Sequence, residues 1–365
     1  MADLRIESPS CANMVADGRP FLNFGGSCYL GLSGEPELIE AGAAALRALG
    51  STGQLPRHYR FVLAANADAE AAAREFFRVD GAIYYATGYL FGLLAMTGLA
   101  APYDVVFLDE SSHDHLREGA AAAGKPVHFF RHLDAADLER VMARELRHGQ
   151  RPLVATDGMF ATFGTVPPLV DYRRLVEPHG GWLFVDESHA FGVIGPTGRG
   201  ALEAHGVAGP RVLAGGSLGK AFSAYGGLAL GSAEAIAALW QSPTARGAAS
   251  GMSAGAAMLA ASLGYLSRHP DRLQKLRENV RYLKAGLRAL GLDVGDTESP
   301  IATFVRGTAD EMKALQRRLF DEDAIFVIYS TYVGAGPHGA IRIAAFADHA
   351  SDDLDRLLGA LRRHL

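Results

Sequence analysis

Three residues in this 365-residue chain have side chains whose types and spacing suit covalent chemistry. Lys220 sits among small residues, in Ala214-Gly-Gly-Ser-Leu-Gly-Lys-Ala-Phe, with Tyr225-Gly-Gly just beyond. Asp186 closes the apolar run of Trp182-Leu-Phe-Val-Asp-Glu-Ser-His, and His189 follows three residues later. An amine, a carboxylate and an imidazole in this arrangement suit a site for pyridoxal phosphate (PLP). The lysine would form a Schiff base with the cofactor's aldehyde. The aspartate would keep the pyridine nitrogen protonated, and the histidine would contact the ring face or its oxygen. The cofactor works as an electron sink only when that nitrogen carries charge.

Plainer explanations exist for each part. A lysine after glycine is commonly a solvated loop residue, and an aspartate after a strand often caps the next helix. Val185-Asp186-Glu187 also resembles a Walker B strand, and Gly215 to Lys220 loosely resembles a P-loop. The P-loop reading fails on detail, because that motif needs G-x-x-x-x-G-K-[ST] with a hydroxyl for Mg²⁺. Here the spacing is one residue short, Ala221 stands in the hydroxyl position, and the two motifs occur in reversed order.

Composition sets the outer limits. About half the residues are apolar and 21% are charged, an ordinary balance for a globular chain with a large core. The length suggests two domains, or one large domain with a smaller partner. The formal net charge is −5, and no basic block is present, so nucleic-acid and anionic-membrane roles lack electrostatic support. Cys11 and Cys28 are the only cysteines, too few for a disulfide framework, which makes a reducing cytoplasm the expected location. The N-terminus lacks the apolar core of a signal peptide, and no apolar run reaches membrane-spanning length.

The elements that must position Lys220 and Asp186 follow from the hydrophobic pattern. Strands are expected at Gly81–Ala86, Val105–Leu108, Pro126–Phe130, Leu153–Thr156, Trp182–Val185, Val212–Ala214 and Gly227–Leu230. Helical patterns lie between them, as at Asp68–Arg78 and Ala135–Leu146. This alternation predicts an α/β fold with a mostly parallel sheet. Ligands in such sheets gather beyond the carboxyl ends of the strands. Thr87-Gly88, Asp109, Asp157, Asp186 and Ser217 should therefore share one rim. The C-terminal part reads as a small α+β domain: a long helix near Pro270–Leu290, strands at Ile301–Val305, Ile325–Ile328 and Ile341–Ala345, and helices near Ala309–Phe320 and from Asp352.

The most diagnostic stretch is Val185-Asp-Glu-Ser-His-Ala-Phe-Gly-Val-Ile-Gly-Pro-Thr-Gly-Arg-Gly200. With Ser217-Leu-Gly-Lys220, it resembles the motifs of the α-oxoamine synthase family of fold-type-I PLP enzymes. The resemblance runs from Phe21-Leu-Asn-Phe to the strand around Arg342. It implies that Lys220 carries PLP, Asp186 pairs with the ring nitrogen, and His189 contacts the phenolic oxygen. His113, in Asp109-Glu-Ser-Ser-His-Asp-His115, would stack on the ring. A metal-site reading of that segment has little support, since His113 and His115 are two apart rather than four. His115 stands where the family commonly has a serine, so it is left outside the catalytic set, and no metal is expected. Thr87, Gly88 and Tyr89 would form the phosphate-binding turn, assisted by Ser217. Ser250 would reach the phosphate across a dimer interface, although the family's neighbouring prolines are missing. Arg342 would grip the substrate carboxylate, a task suited to a bidentate guanidinium.

The resemblance also implies a fold-type-I architecture, with an N-terminal arm (1–45), a large PLP domain (46–250) and a small C-terminal domain (251–365). The enzyme would be a homodimer that condenses a small α-amino acid with an acyl thioester, carried by CoA or a carrier protein, and then releases CO₂. A lyase, an aldolase or an aminotransferase on the same fold remains the alternative. Several substrate-side positions depart from the family. The family's N-D-Y-L-G-L reads Ser27-Cys-Tyr-Leu-Gly-Leu, so its asparagine is absent, the Gly50–Tyr59 loop is rebuilt, and Ala161 and Phe163 replace polar residues. Cofactor positions are kept while substrate positions diverge, which points to a specialised member with an unusual amino acid or acyl donor.

Overall fold

The computed structural model describes residues 3–53, 55, 57–248 and 250–365. Gln54 and Pro56 of the rebuilt loop, and Ala249 beside Ser250, lie outside the described residues. The chain forms two compact units. The larger comprises Pro36–Met159 and Val166–Arg268; the smaller comprises the residues before Pro36, Phe160–Thr165 and His269–Leu365.

The large unit is built on a seven-stranded sheet. From one edge, its strands are Gly81–Tyr85, Gly227–Gly231, Val212–Ser217, Trp182–Asp186, Pro152–Asp157, Val105–Asp109 and Val127–Phe130. Only Gly227–Gly231 runs against the others. The remaining neighbours pair in parallel, with Asp157 opposite Asp186 and Asp186 opposite Gly215. Most of these strands are buried along their whole length, as a sheet covered on both faces requires. Alternate residues serve opposite cores. Ile83, Tyr85, Phe184 and Ala229 join a cluster with Phe91, Leu94 and Met96. Ala82, Tyr84, Leu228 and Leu230 join another with Phe77, Phe191 and Phe222.

Each strand predicted for the large unit is present, and several extend by one to three residues to include the polar group at the rim, whereas the strand expected at Ile325–Ile328 divides into Ile325–Phe326 and Ile328–Ser330, which join different sheets. The division between the units falls at Glu35/Pro36 and Arg268/His269 rather than at 45 and 250. The reason lies in helix packing. Helix Pro36–Leu49 lies along helix Ser253–Arg268, where a Cβ at Gly42 would come within 3.0 Å of Met258. Helix Ser253–Arg268 also packs along helix Ala64–Phe77.

The small unit holds two three-stranded sheets. One joins Asn13–Ala16, Arg19–Asn23 and Ile325–Phe326; the other joins Ile301–Phe304, Ala340–Ala344 and Ile328–Ser330. Phe21 packs edge-on to Phe320 and Phe326, which ties the N-terminal hairpin to the C-terminal segment. Helix Ala309–Asp323 begins with a full capping box between Thr308 and Glu311, which satisfies two backbone donors at once.

Two helices of the large unit meet closely through glycine. A Cβ on Gly92, in helix Phe91–Gly98, would lie 2.2 Å from the carbonyl oxygen of His115. A Cβ on Gly119, in helix Asp114–Ala122, would lie 2.3 Å from the carbonyl carbon of Gly92. Neither backbone can move aside, so Gly119→Ala should lower unfolding free energy by about 1–3 kcal/mol in urea titrations. Gly247→Ala should not, because open space surrounds that position.

Candidate active site

The carboxyl ends of the parallel strands bring four polar residues to one rim of the large unit: Asp109, Asp157, Asp186 and Ser217 are each the last residue of a strand. Asp186 is 4% exposed, and both of its oxygens are held. One accepts the Ser188 N–H at 2.8 Å, a local turn bond of the kind aspartate favours. The other lies 2.6 Å from His115 Nε2. The Gly92 N–H donates to His115 Nδ1 at 3.2 Å. That bond leaves Nε2 as the nitrogen bearing the proton, so His115 donates to Asp186. Burial alone would raise the Asp186 carboxyl, but His115 and the Lys220 ammonium together hold it well below the usual carboxylate range. Asp186 is thus a buried, oriented, ionised carboxylate with lone pairs to spare for a charged N–H.

Glycines allow this crowding. A Cβ on Gly216 would lie 2.4 Å from an Asp186 carboxylate oxygen, and Gly216 adopts φ +142°, where other residues are strained. The Ser217 N–H donates to Ser188 Oγ at 2.7 Å, which locks the strand end that leads to Lys220. Lys220 is half-buried in the turn that follows. Its positive charge favours the ionised form of Asp186 and Asp157 and disfavours protonation of His113. Asp157 is itself buried, and burial followed by repulsion from Asp186 pushes its carboxyl well up.

Thr87 caps the turn Gly88–Leu90, which opens directly into helix Phe91–Gly98. Thr87 is extended, and its side chain makes no capping bond. A Cβ on Gly88 would lie 2.2 Å from Ser217 Cα, so this turn and Ser217 are in direct backbone contact. The Ser217 hydroxyl accepts the Gly219 N–H. Tyr89 is exposed and donates to Glu118 at 2.9 Å. The rings of Tyr89 and His113 meet edge-on at 5.8 Å.

His113 caps helix Asp114–Ala122, and its Nδ1 accepts the His115 N–H at 3.2 Å. Its own backbone N–H donates to Asp157 at 3.3 Å. The His113 and His115 rings lie 4.8 Å apart. Burial, then the neighbouring His115, lowers the basicity of His113. His189 lies half-buried in the turn after the Asp186 strand. Ser250 is exposed and lines a small cavity with Arg57, Asn66, Tyr84 and Trp240 instead of the residues around Lys220.

Two residues outside the sequence-derived set belong here. His115 replaces the family's common serine and proves to be the partner of Asp186. The sequence signal was the His-x-His spacing across the start of a helix, which puts the second imidazole on the first turn, facing back to the sheet. Glu187 is fully buried, and burial pushes its carboxyl up to about 8. It accepts the N–H groups of Ala201 and Leu202 at 2.8 and 2.9 Å. A Cβ on Gly200 would strike this carboxylate, which explains the final glycine of the Gly-Pro-Thr-Gly-Arg-Gly run.

Within the small unit, Arg342 is buried on strand Ala340–Ala344. It donates to the carbonyls of Ala161 (2.8 Å) and Gly26 (3.0 Å) and to the Tyr29 hydroxyl (3.2 Å). A guanidinium has five N–H donors. Among the described residues one donor on each terminal nitrogen is left for a carboxylate.

The donor set fits PLP. A buried carboxylate suits a pyridinium, the neighbouring lysine suits an aldehyde, and a hydroxyl-bearing turn in contact with Ser217 suits a phosphate. Sheet and site together define a fold-type-I PLP-dependent enzyme. Residues 19–361 match the profile of the aminotransferase class I and II family. The chain is 31% identical to 8-amino-7-oxononanoate synthase of Symbiobacterium thermophilum, over 98% of this chain and 92% of that protein. It is 33% identical to the Methylococcus capsulatus protein of the same name, with the same coverage. A serine palmitoyltransferase solved with PLP superposes with a TM-score of 0.92 at 26% identity, covering 99% of this chain and 92% of that one. The chain belongs to the aminotransferase class I and II family and, within it, to the α-oxoamine synthases. Its cofactor is pyridoxal phosphate.

His115→Phe keeps a ring of similar size but removes the donor to Asp186. It should weaken PLP binding about tenfold or more, as read by equilibrium dialysis. Unchanged affinity would mean that Asp186 needs no support from His115.

Proposed function

We propose that this enzyme condenses a small α-amino acid with an acyl thioester and releases CO₂, giving an α-aminoketone for a specialised biosynthetic route. The observation that carries this reading is the grouping of Lys220, His113 and the Asp186–His115 pair at one strand rim. PLP, once bound, supplies the electron sink that stabilises negative charge on the amino-acid α-carbon.

The protein's own groups do the rest. Lys220 would be the amine that holds the cofactor through its aldehyde carbon, and its free amine would take the substrate's α-proton as general base. Asp186 holds a proton on the ring nitrogen, and His115 keeps that carboxylate aimed. His113 would cover the ring face, and His189 would serve its oxygen. Thr87, Gly88, Tyr89 and Ser217 receive the phosphate, with Ser250 contributed from a second copy of the chain. Arg342 binds the substrate carboxylate. The α-carbon then bonds to the thioester carbonyl carbon, the C–S bond breaks, and the thiol departs. The carboxylate leaves as CO₂, and a proton takes its place on that carbon. We further propose a cytoplasmic homodimer, with a CoA or carrier-protein thioester as donor. Among the described residues, no helix is long and apolar enough to cross a membrane.

Borohydride reduction of the PLP-loaded enzyme should fix the cofactor's mass on the peptide containing Lys220. A tag on another lysine would overturn the assignment. With amino acid present, CO₂ and free thiol should appear together only when thioester is added. CO₂ release without thioester would favour a decarboxylating lyase, and aldehyde release without CO₂ an aldolase. Arg342→Ala should raise the amino-acid KM about tenfold or more while PLP content stays constant. An unaltered KM would remove Arg342 from carboxylate binding.

A further inference from the structure

The large unit carries a second cluster of chemistry that the reading above does not use. A cavity of about 370 Å³ is lined by Arg57, His58, Arg60, Trp240, Gln241 and Arg246, and among the described residues no carboxylate lines it. The acid-free character is written in the sequence. No Asp or Glu occurs from Gly50 through Ala67, or from Ala235 through Pro270, in a chain whose net charge is −5.

The cationic groups are held in different ways. Arg57 pairs with the buried Glu70 at 2.5 Å, and Glu70 also accepts the Tyr84 N–H. The Arg57 guanidinium lies 4.3 Å from the Trp240 ring centroid, within cation–π range. Glu70 thus neutralises Arg57 and fixes it against the indole. Among the described residues the Arg246 side chain reaches only the neutral amide oxygen of Gln241, so no carboxylate there matches its charge. The Arg60 backbone N–H donates to the Arg57 carbonyl at 2.8 Å, while the Arg60 guanidinium has no hydrogen-bond or ion-pair partner among the described residues. Arg60 also occupies the left-handed region at φ +67°, which is costly for a residue with a Cβ. A strained backbone presenting an unpaired cation into a cationic pocket with an aromatic wall is suited to a phosphate ester attached to a flat base.

We propose that this pocket binds the phosphate groups of the acyl donor's pantetheine carrier. The inference rests on the condensation reading, which requires a thioester. Two sources share this chemistry: the 3′-phosphoadenosine diphosphate end of CoA, and the phosphopantetheine of a carrier protein. The indole wall and multiple cations suit the nucleotide.

The test uses PLP-loaded enzyme. Adenosine 3′,5′-bisphosphate should bind saturably by calorimetry and alter tryptophan fluorescence, since the chain has only Trp182, buried in the core, and Trp240. The double variant Arg60→Ala/Arg246→Ala should lose about tenfold or more of this affinity, while its melting temperature and PLP content stay unchanged. Pantetheine, which lacks phosphate, should not distinguish variant from parent. Binding of a phosphopantetheinyl carrier protein that depends on both arginines, with no nucleotide binding, would support the phosphate site and assign its source to the carrier protein. Equal affinity of parent and variant for both phosphate ligands would overturn the proposal. So would loss of self-association in the variant by sedimentation, which would make the pocket a contact between copies. Should phosphate binding depend on both arginines while no thioester yields an aminoketone, the reaction assignment fails and the pocket stands.

Discussion

The hydrogen bond between His115 and Asp186 is the interaction on which the site depends. Two strongly polar side chains, each almost fully buried, stand at the carboxyl end of the central strand. An isolated buried carboxylate would take up a proton to escape the cost of desolvation. His115 Nε2, the Ser188 N–H and the nearby Lys220 ammonium keep it charged. A carboxylate that stays ionised in a dry setting can hold a pyridinium, and a neutral one cannot. Much of the local architecture serves this point. Gly92 and Gly119 let two helices approach until His115 points at the sheet. Gly216 lets the next strand pass the carboxylate.

The order of support runs outward from that pair. Ser188 orients Asp186 and also receives the Ser217 N–H, so one short turn sets both the carboxylate and the strand end before Lys220. Glu187, facing the opposite way, ties the glycine-rich turn down through the Ala201 and Leu202 amides. The Asp-Glu-Ser sequence after the strand thus serves three destinations from three adjacent residues.

Much of this was legible in the amino-acid pattern. Unbroken apolar runs such as Val105–Leu108 and Trp182–Val185 can only be strands covered on both faces, and the polar residue after each had to fall on one rim. Lys220, Asp186 and Gly88 were legible because small residues and strand ends leave few alternatives. His115 had only the His-x-His spacing to mark it, since its role depends on a helix crossing made possible by two glycines far apart in sequence. The partition into units was also hidden. Nothing local in Ser253–Arg268 says that it packs on Pro36–Leu49 and Ala64–Phe77, and that tertiary choice moved both boundaries. Arg342 could be picked out as a candidate grip, but its anchors on the Gly26 and Ala161 carbonyls are backbone groups that carry no side-chain signature.

The stretch Phe160–Thr165 belongs to the small unit although the large unit supplies the chain on both sides of it. Thr303 donates to the Thr162 carbonyl, and Thr162 to the Val333 carbonyl, within that small unit. A ribosome delivers these six residues long before their partners in the C-terminal third exist. The excursion must wait, exposed, while roughly a hundred further residues of the large unit emerge, because chains fold from the N-terminus as they are made. No single cut can separate the two units, and neither can be inherited as an independent cassette. The fold therefore ties the timing of its own completion to the last residues synthesised.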